Sequence, residues 1–276
     1  MTTDRVLKLT IEYDGTDFHG WQRQPGERTV EGVIEDALAE LVPGGVPIQG
    51  ASRTDQGVHA LGQVASAAVR SPIPTERFAR ALNGRLPRDV RVRELEEARA
   101  DFNARFSAIA KHYRYWIDRR DLPGVFTSRH SIHVPGPLDL GAMSRAAAHF
   151  VGEHDFAAYQ CASEGPPRHS VRTVHAVHVT GDATGDFLSI DVIGRSFLYK
   201  MVRTMVGTLI EVGRGRRAIT DVPESLQSRS RSRAGPTAPP HGLFLISVSY
   251  HGLPSMDGAS LRLAVPGFPV GDPAPG

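Results

Sequence analysis

Cysteine occurs once in this chain, at Cys161, which excludes an internal disulfide and a thiolate metal cage. A reducing, cytoplasmic setting is the expectation, with Cys161 as packing rather than as a nucleophile. Lysine is nearly as scarce: Lys8, Lys111 and Lys200 are the only three, and arginine supplies the other long cationic side chains. No run approaches the roughly 20 apolar residues that a bilayer span requires. Met1-Thr2-Thr3-Asp4-Arg5 passes straight into an alternating pattern, so neither a membrane segment nor a secretory leader is expected. A Gly-rich phosphate loop is missing, and so is a Cys/His ligand set, which removes the usual signals of a bound nucleotide or metal. What remains has ordinary globular proportions. Hydrophobic residues make up 40% and charged residues 22% of 276, enough to bury a core in one or two domains. The net charge of +2 is too small to indicate a polyanionic partner. The preference for arginine, which forks onto phosphates and stacks on bases, permits one.

Leu7, Leu9, Ile11 and Tyr13 alternate with polar residues and predict a strand with one buried face. Val30, Val33, Ile34, Ala37, Leu38 and Leu41 recur at helical spacing behind Thr29, a suitable N-cap. A second helix fits residues 75–82, and strands fit 47–52, 63–69, 90–95 and 106–117. Leu140, Met143, Ala147 and Phe150 predict a third helix. Residues 174–179 and 187–193 read as a hairpin, residues 198–212 as a strong helix and 243–250 as a last strand. Short connections and hairpins favour an α+β fold with antiparallel sheets over a doubly wound parallel one. The expected domains are 1–118 and 119–250, followed by a Pro/Gly-rich, poorly ordered tail at 251–276. The run Ser228-Arg229-Ser230-Arg231-Ser232-Arg233 reads either as a solvated helix end or as a contact for phosphates.

The densest chemical signal lies at Ala51-Ser52-Arg53-Thr54-Asp55-Gln56-Gly57-Val58-His59-Ala60. Arg53 stays protonated at any working pH, so a pairing with it would hold Asp55 ionised and aim it. Gly57 permits a turn that other residues resist, which would lift the carboxylate into a cleft. An ionised, oriented and accessible carboxylate suits covalent chemistry at a sugar carbon. Asp55 and His59 stand four apart, but the intervening Gly57 argues against a helical His–Asp dyad.

Other segments accompany it in order: Glu12-Tyr13-Asp14-Gly15-Thr16 with Gly20-Trp21-Gln22-Arg23-Gln24, then Asn83 and Leu86-Pro87. Phe102-Asn103-Ala104-Arg105-Phe106-Ser107-Ala108 leads to Tyr113-Arg114-Tyr115. Phe197, Met201-Val202-Arg203, Val206-Gly207 and Ala234-Gly235-Pro236-Thr237-Ala238-Pro239 before Gly242-Leu243 complete the set. Together with the Asp55 loop these resemble the TruA-type tRNA pseudouridine synthases along most of the chain. Ser52 and Gln56 replace the glycine and alanine frequent in that family, without changing the chemical groups of the loop.

The resemblance implies a pseudouridine synthase fold of two α/β domains, with antiparallel sheets flanked by helices and a central basic cleft. It implies isomerisation of uridine to pseudouridine in tRNA, at positions 38 to 40 of the anticodon stem-loop, by a homodimer. By family position Asp55 is the catalytic nucleophile, with Arg53 and Arg203 beside it. Tyr113 would stack on the extruded uracil or relay its proton, and Phe197 would either wall the base pocket or serve as core. Tyr115 is expected to pack. Gly20, Trp21 and Gln22 either frame the RNA entrance or, for Trp21, belong to the core. The isomerisation gains and loses no electrons or atoms, so no cofactor and no metal is expected. A non-catalytic tRNA-binding module on the same fold would have no need of Arg53, Asp55, Tyr113 and Arg203 together. A glycoside hydrolase would ordinarily add a second acid beside Asp55.

Overall fold

The computed structural model describes residues 3–161, 169–182 and 185–254. Strand β1 (Thr3–Tyr13) leads to helix α1 (Val30–Ala39), a short β2 (Ile48–Gly50) and the long β3 (His59–Ser71). Helix α2 (Thr75–Asn83), β4 (Val90–Ala98) and β5 (Ala110–Asp118) follow. After β6 (Ile132–His133) come α3 (Leu140–Ala148), β7 (Gly152–Asp155) and the strands β8 (Val171–Gly181) and β9 (Phe187–Gly194). Helices α4 (Met201–Gly213) and α5 (Asp221–Ser228) precede β10 (Leu243–Ser249).

Two compact units result. The first holds residues up to Ile109 together with Phe244–Gly252; the second holds Ala110–Leu243 and, among the described residues, Leu253 and Pro254. β5 belongs to the second unit, where it hydrogen-bonds antiparallel to β9 along its whole length. β10 in turn leaves the second half of the chain and pairs parallel with β3, through Phe244↔His59 and Leu245↔Ala60. The expected tail lies outside the described residues from 255 onward, as do 162–168 of the region before β8.

In the first unit β1 is the central strand, antiparallel to both β3 and β4. Its alternation works as the sequence predicts: Leu7, Leu9 and Ile11 are fully buried. Thr29 caps α1 by accepting the Gly32 amide at 3.2 Å, and Val30, Ile34 and Leu38 form its buried stripe. A smaller cluster joins Ala51, Val64 and Ala104 to Phe102, Val248 and Tyr250. Its rings meet edge-on, with Phe102 and Tyr250 centroids 5.0 Å apart.

In the second unit β9 lies between β5 and β8, antiparallel to each, and every residue of β9 is buried. Helix α4 is buried along its length except at Glu211, as expected of a helix that is apolar almost all round. Each Leu, Ile, Val or Met so buried contributes roughly 1.5–3 kcal/mol relative to exposure. Phe150, Phe156 and Tyr159 pack as a ring cluster beside it, with Phe150 edge-on to Tyr159 at 5.0 Å. The architecture is therefore α+β with mainly antiparallel pairing, while β3–β10 and β5–β6 pair parallel. Three elements escape the sequence patterns: β6 and β7, which are very short, and α5, which carries Pro223 in its first turn.

Candidate active site

The chain between β2 and β3 carries Asp55 on an irregular stretch held from both sides. Upstream, the Gln63 side chain is fully buried and pairs twice with Ser52: the Ser52 amide donates to Gln63 Oε1 at 3.2 Å, and Gln63 Nε2 donates to the Ser52 carbonyl at 2.7 Å. A side-chain amide here substitutes for a strand partner. Next to Asp55, the Thr54 carbonyl accepts the Trp21 amide at 3.1 Å, and Thr54 Oγ1 lies 2.8 Å from the Tyr13 hydroxyl in a buried contact. Downstream, the Val58 amide donates to the Asp55 carbonyl at 3.2 Å, closing a turn. Gly57, at φ +75°, occupies the third position of that turn, which a side chain would disfavour. The turn that the sequence expects at Gly57 is thus formed.

The Asp55 side chain is half-buried at this turn, and Arg53 is exposed. No ion pair between Arg53 and Asp55 is found among the described residues, so the expected clamp within the loop is not formed. Arg53 is exposed, so it would gain little from such a pair and would have to immobilise a long side chain. His59 is buried one turn further on. Its Nδ1 accepts the Gly15 amide at 3.0 Å, and its ring stacks on Phe244 at 4.6 Å. That is a structural place in the loop, and Trp21, also buried, is core.

Tyr113 and Phe197, both in the second unit, are brought together: their rings meet edge to face at 5.4 Å and 87°. Tyr113 is buried and Phe197 partly exposed. Tyr115 is packed as expected. Its hydroxyl donates to the Pro239 carbonyl at 2.7 Å, and burial pushes its phenol well above the ordinary range despite the opposing charge of Arg203.

Arg203 sits in the first turn of α4 and is only 8% exposed, unlike an ordinary solvated helical arginine. Its Nε donates to the Ala238 carbonyl at 2.8 Å, and the Ala238 amide returns a bond to the Arg203 carbonyl at 3.0 Å. The motif Ala234–Pro239 is therefore a strap along α4, also tied where the Gly235 amide donates to Thr208 Oγ1 at 2.9 Å. A methyl group at Gly207 would collide with the Pro236 carbonyl oxygen, which accounts for glycine there. The Ser/Arg run is a helix end rather than a loose tract. Arg229 pairs with Asp155 at 2.9 Å, Arg233 with Glu224 at 3.1 Å, and Arg231 donates to the Gly235 carbonyl at 2.8 Å.

Sequence reasoning missed the supports: Gln63, Tyr13 with Thr54, and a buried cluster in which Asp191 Oδ1 receives Arg114 Nε at 2.8 Å and lies 2.6 Å from His112 Nε2. A usable signal existed for Gln63, a polar residue in an otherwise apolar strand face. None existed for Asp191, which meets its partners only through the β5–β9 register.

The profile described as tRNA pseudouridine synthase matches residues 9–107 and 146–251. Proteins named tRNA pseudouridine synthase A resemble the chain over nearly their whole length. That of Acetivibrio thermocellus is 45% identical, covering 89% of this chain and 100% of the relative. That of Moorella thermoacetica is 47% identical over 88% and 99%, and that of Geobacter sulfurreducens 44% over 89% and 100%. An aspartate clamped on a glycine turn, a paired Tyr113 and Phe197, and a buried Arg203 thus occur in a chain that belongs to the tRNA pseudouridine synthase family.

Proposed function

We propose that Asp55 is the nucleophile with which this tRNA uridine isomerase rearranges its substrate. Membership of the family makes the chain an enzyme that converts uridine in tRNA to pseudouridine. The reaction breaks the bond from the sugar C1′ to N1, turns the freed uracil, and joins C5 to C1′. The C5 proton leaves and N1 gains one, so nothing is oxidised or reduced and no cofactor is required. Asp55 either attacks C1′ or stabilises a cationic sugar while a glycal forms; both need a fixed carboxylate. The observation that carries the reading is the hydrogen bonding that fixes the backbone on both sides of Asp55, at Ser52, Thr54 and Val58.

The remaining roles follow from chemistry. Tyr113 is assigned to the uracil, as stacking surface and as acceptor or relay of the departing proton. Phe197 fixes the Tyr113 ring and walls the base pocket. Arg53, exposed and without an ion pair to Asp55, is available to the substrate phosphates; Arg203 orients the reacting groups in a basic cleft. The target is the anticodon stem-loop at positions 38 to 40, the working form a homodimer, and the setting the cytoplasm. Extruding a paired uridine costs a few kcal/mol, which phosphate contacts offset.

The test is tritium release from tRNA labelled at uridine C5. The wild-type chain should release tritium without added cofactor or metal. Asp55→Ala should release none while still binding tRNA. Equal release by that variant overturns the nucleophile assignment, and release from a uridine outside the anticodon arm overturns the target.

A further inference from the structure

The loop between β9 and α4 displays an aromatic ring that the residue roles above do not use. Tyr199 is 43% exposed although it sits between buried Leu198 and buried Met201. Its exposure does not come from a loose backbone. Three successive carbonyls are occupied: Leu198 accepts the Met201 amide at 3.1 Å, Tyr199 the Cys161 amide at 3.3 Å, and Lys200 the Thr204 amide at 3.0 Å. Thr204 Oγ1 adds a second bond to the Lys200 carbonyl at 3.2 Å. Lys200 itself is held at φ +58°, the left-handed region that a lysine rarely adopts, directly at the N-cap of α4. Strain of this kind persists only where the surroundings enforce it, and it gathers at ligand sites. The ammonium lies 4.8 Å from the centre of the Tyr199 ring.

We infer that Tyr199 and Lys200 form a nucleotide subsite beside the Tyr113–Phe197 pair, with the ring stacking on an unpaired base next to the target uridine and the ammonium meeting its phosphate. Phe197, two residues earlier on the same loop, already touches Tyr113, so the subsite adjoins the position assigned to uracil. A flat ring accepts any base, and a lysine contributes charge without reading sequence. A fixed cation against the ring favours a polyanion over an apolar protein surface. This inference rests on the tRNA reading given above.

The test measures tRNA affinity in the Asp55→Ala protein, where no turnover intervenes. Adding Tyr199→Ala should weaken binding by about tenfold, within the range known for base–aromatic stacking, and Tyr199→Phe should bind within about twofold of the parent. Tyr199→Leu, which keeps apolar bulk without a π face, should behave like the alanine variant, so that stacking is separated from apolar packing; an unchanged melting temperature of both variants controls for folding. Lys200→Gly removes the charge at a position where glycine is at ease; it should lower the slope of log affinity against log salt by about one. Unchanged affinity in both Tyr199→Ala and Tyr199→Leu overturns the subsite, as does a loss in Tyr199→Phe as large as that in alanine. A change in self-association with tRNA affinity intact also overturns it, by making the ring a protein contact. If the Asp55→Ala parent binds no tRNA at all, the family-based reading fails first.

Discussion

Tyr13 and Gln63 support the candidate nucleophile without touching substrate, and their replacement separates positioning from chemistry. Tyr13→Phe keeps the buried ring and removes the hydroxyl beside Thr54. The expected cost is about 1 kcal/mol of stability, seen in denaturant titration, with tritium release falling more than tRNA binding. Gln63→Leu is harsher, because it removes two hydrogen bonds to the buried Ser52 backbone. A loss of about 1–3 kcal/mol is expected. Asp118 predicts an acid dependence. Burial pushes its carboxyl up, but the Arg120 guanidinium, the Gly124 amide and the Arg120 amide outweigh that and hold it down at about 2. A carboxyl lowered in the folded state stabilises fully above its unfolded value of about 3.8 and loses that stabilisation as pH falls towards 2. The amount is about 2 kcal/mol. Asp118→Asn should therefore be less stable than wild type at pH 6, with the difference shrinking between pH 4 and 2 in thermal melts.

At the scale of elements, α4 and the strap 234–239 act as one piece. The strap bonds to Arg203 at one end and Thr208 at the other, and Gly207 provides the surface between them. Gly207→Ala would gain helix propensity on an exposed helix. Here the collision with Pro236 decides the sign, and a net loss of about 1–3 kcal/mol is expected, with a lowered melting temperature and slower tritium release. The periodic patterns located α1, α2, α3 and α4 well, since an amphipathic or apolar run shows its own spacing. Helix α4 starts at Met201, later than the apolar pattern from 198 indicated, because Lys200 leaves the helical region. β6 and β7 carry too few residues to show a period, and Pro223 disguises α5.

At the scale of the whole molecule, each unit is completed by chain that the linear order would assign to the other. β10 brings Val248 and Tyr250 into the cluster with Ala104, where the Tyr250 hydroxyl donates to the Ala104 carbonyl at 2.8 Å. A chain ended after Leu243 should therefore lose protection in residues 3–109 first, with cleavage there under limited proteolysis while 110–243 persists. Protection of both parts would count against β10 as a structural member of the first unit. Amino-acid order alone excluded an internal disulfide and a thiolate metal cage, set the arginine-rich charge and the main elements, and singled out Arg53, Asp55, Tyr113, Phe197 and Arg203 as candidates. These are local patterns, or motifs read residue by residue. Tertiary structure decided that Gln63 splints Ser52, that Arg203 is buried under a strap, that Arg53 makes no ion pair with Asp55, and that Asp191 joins His112 across 79 residues of chain. Spacing within an element is written into neighbouring residues, whereas register and burial arise only when distant segments pair and exclude water.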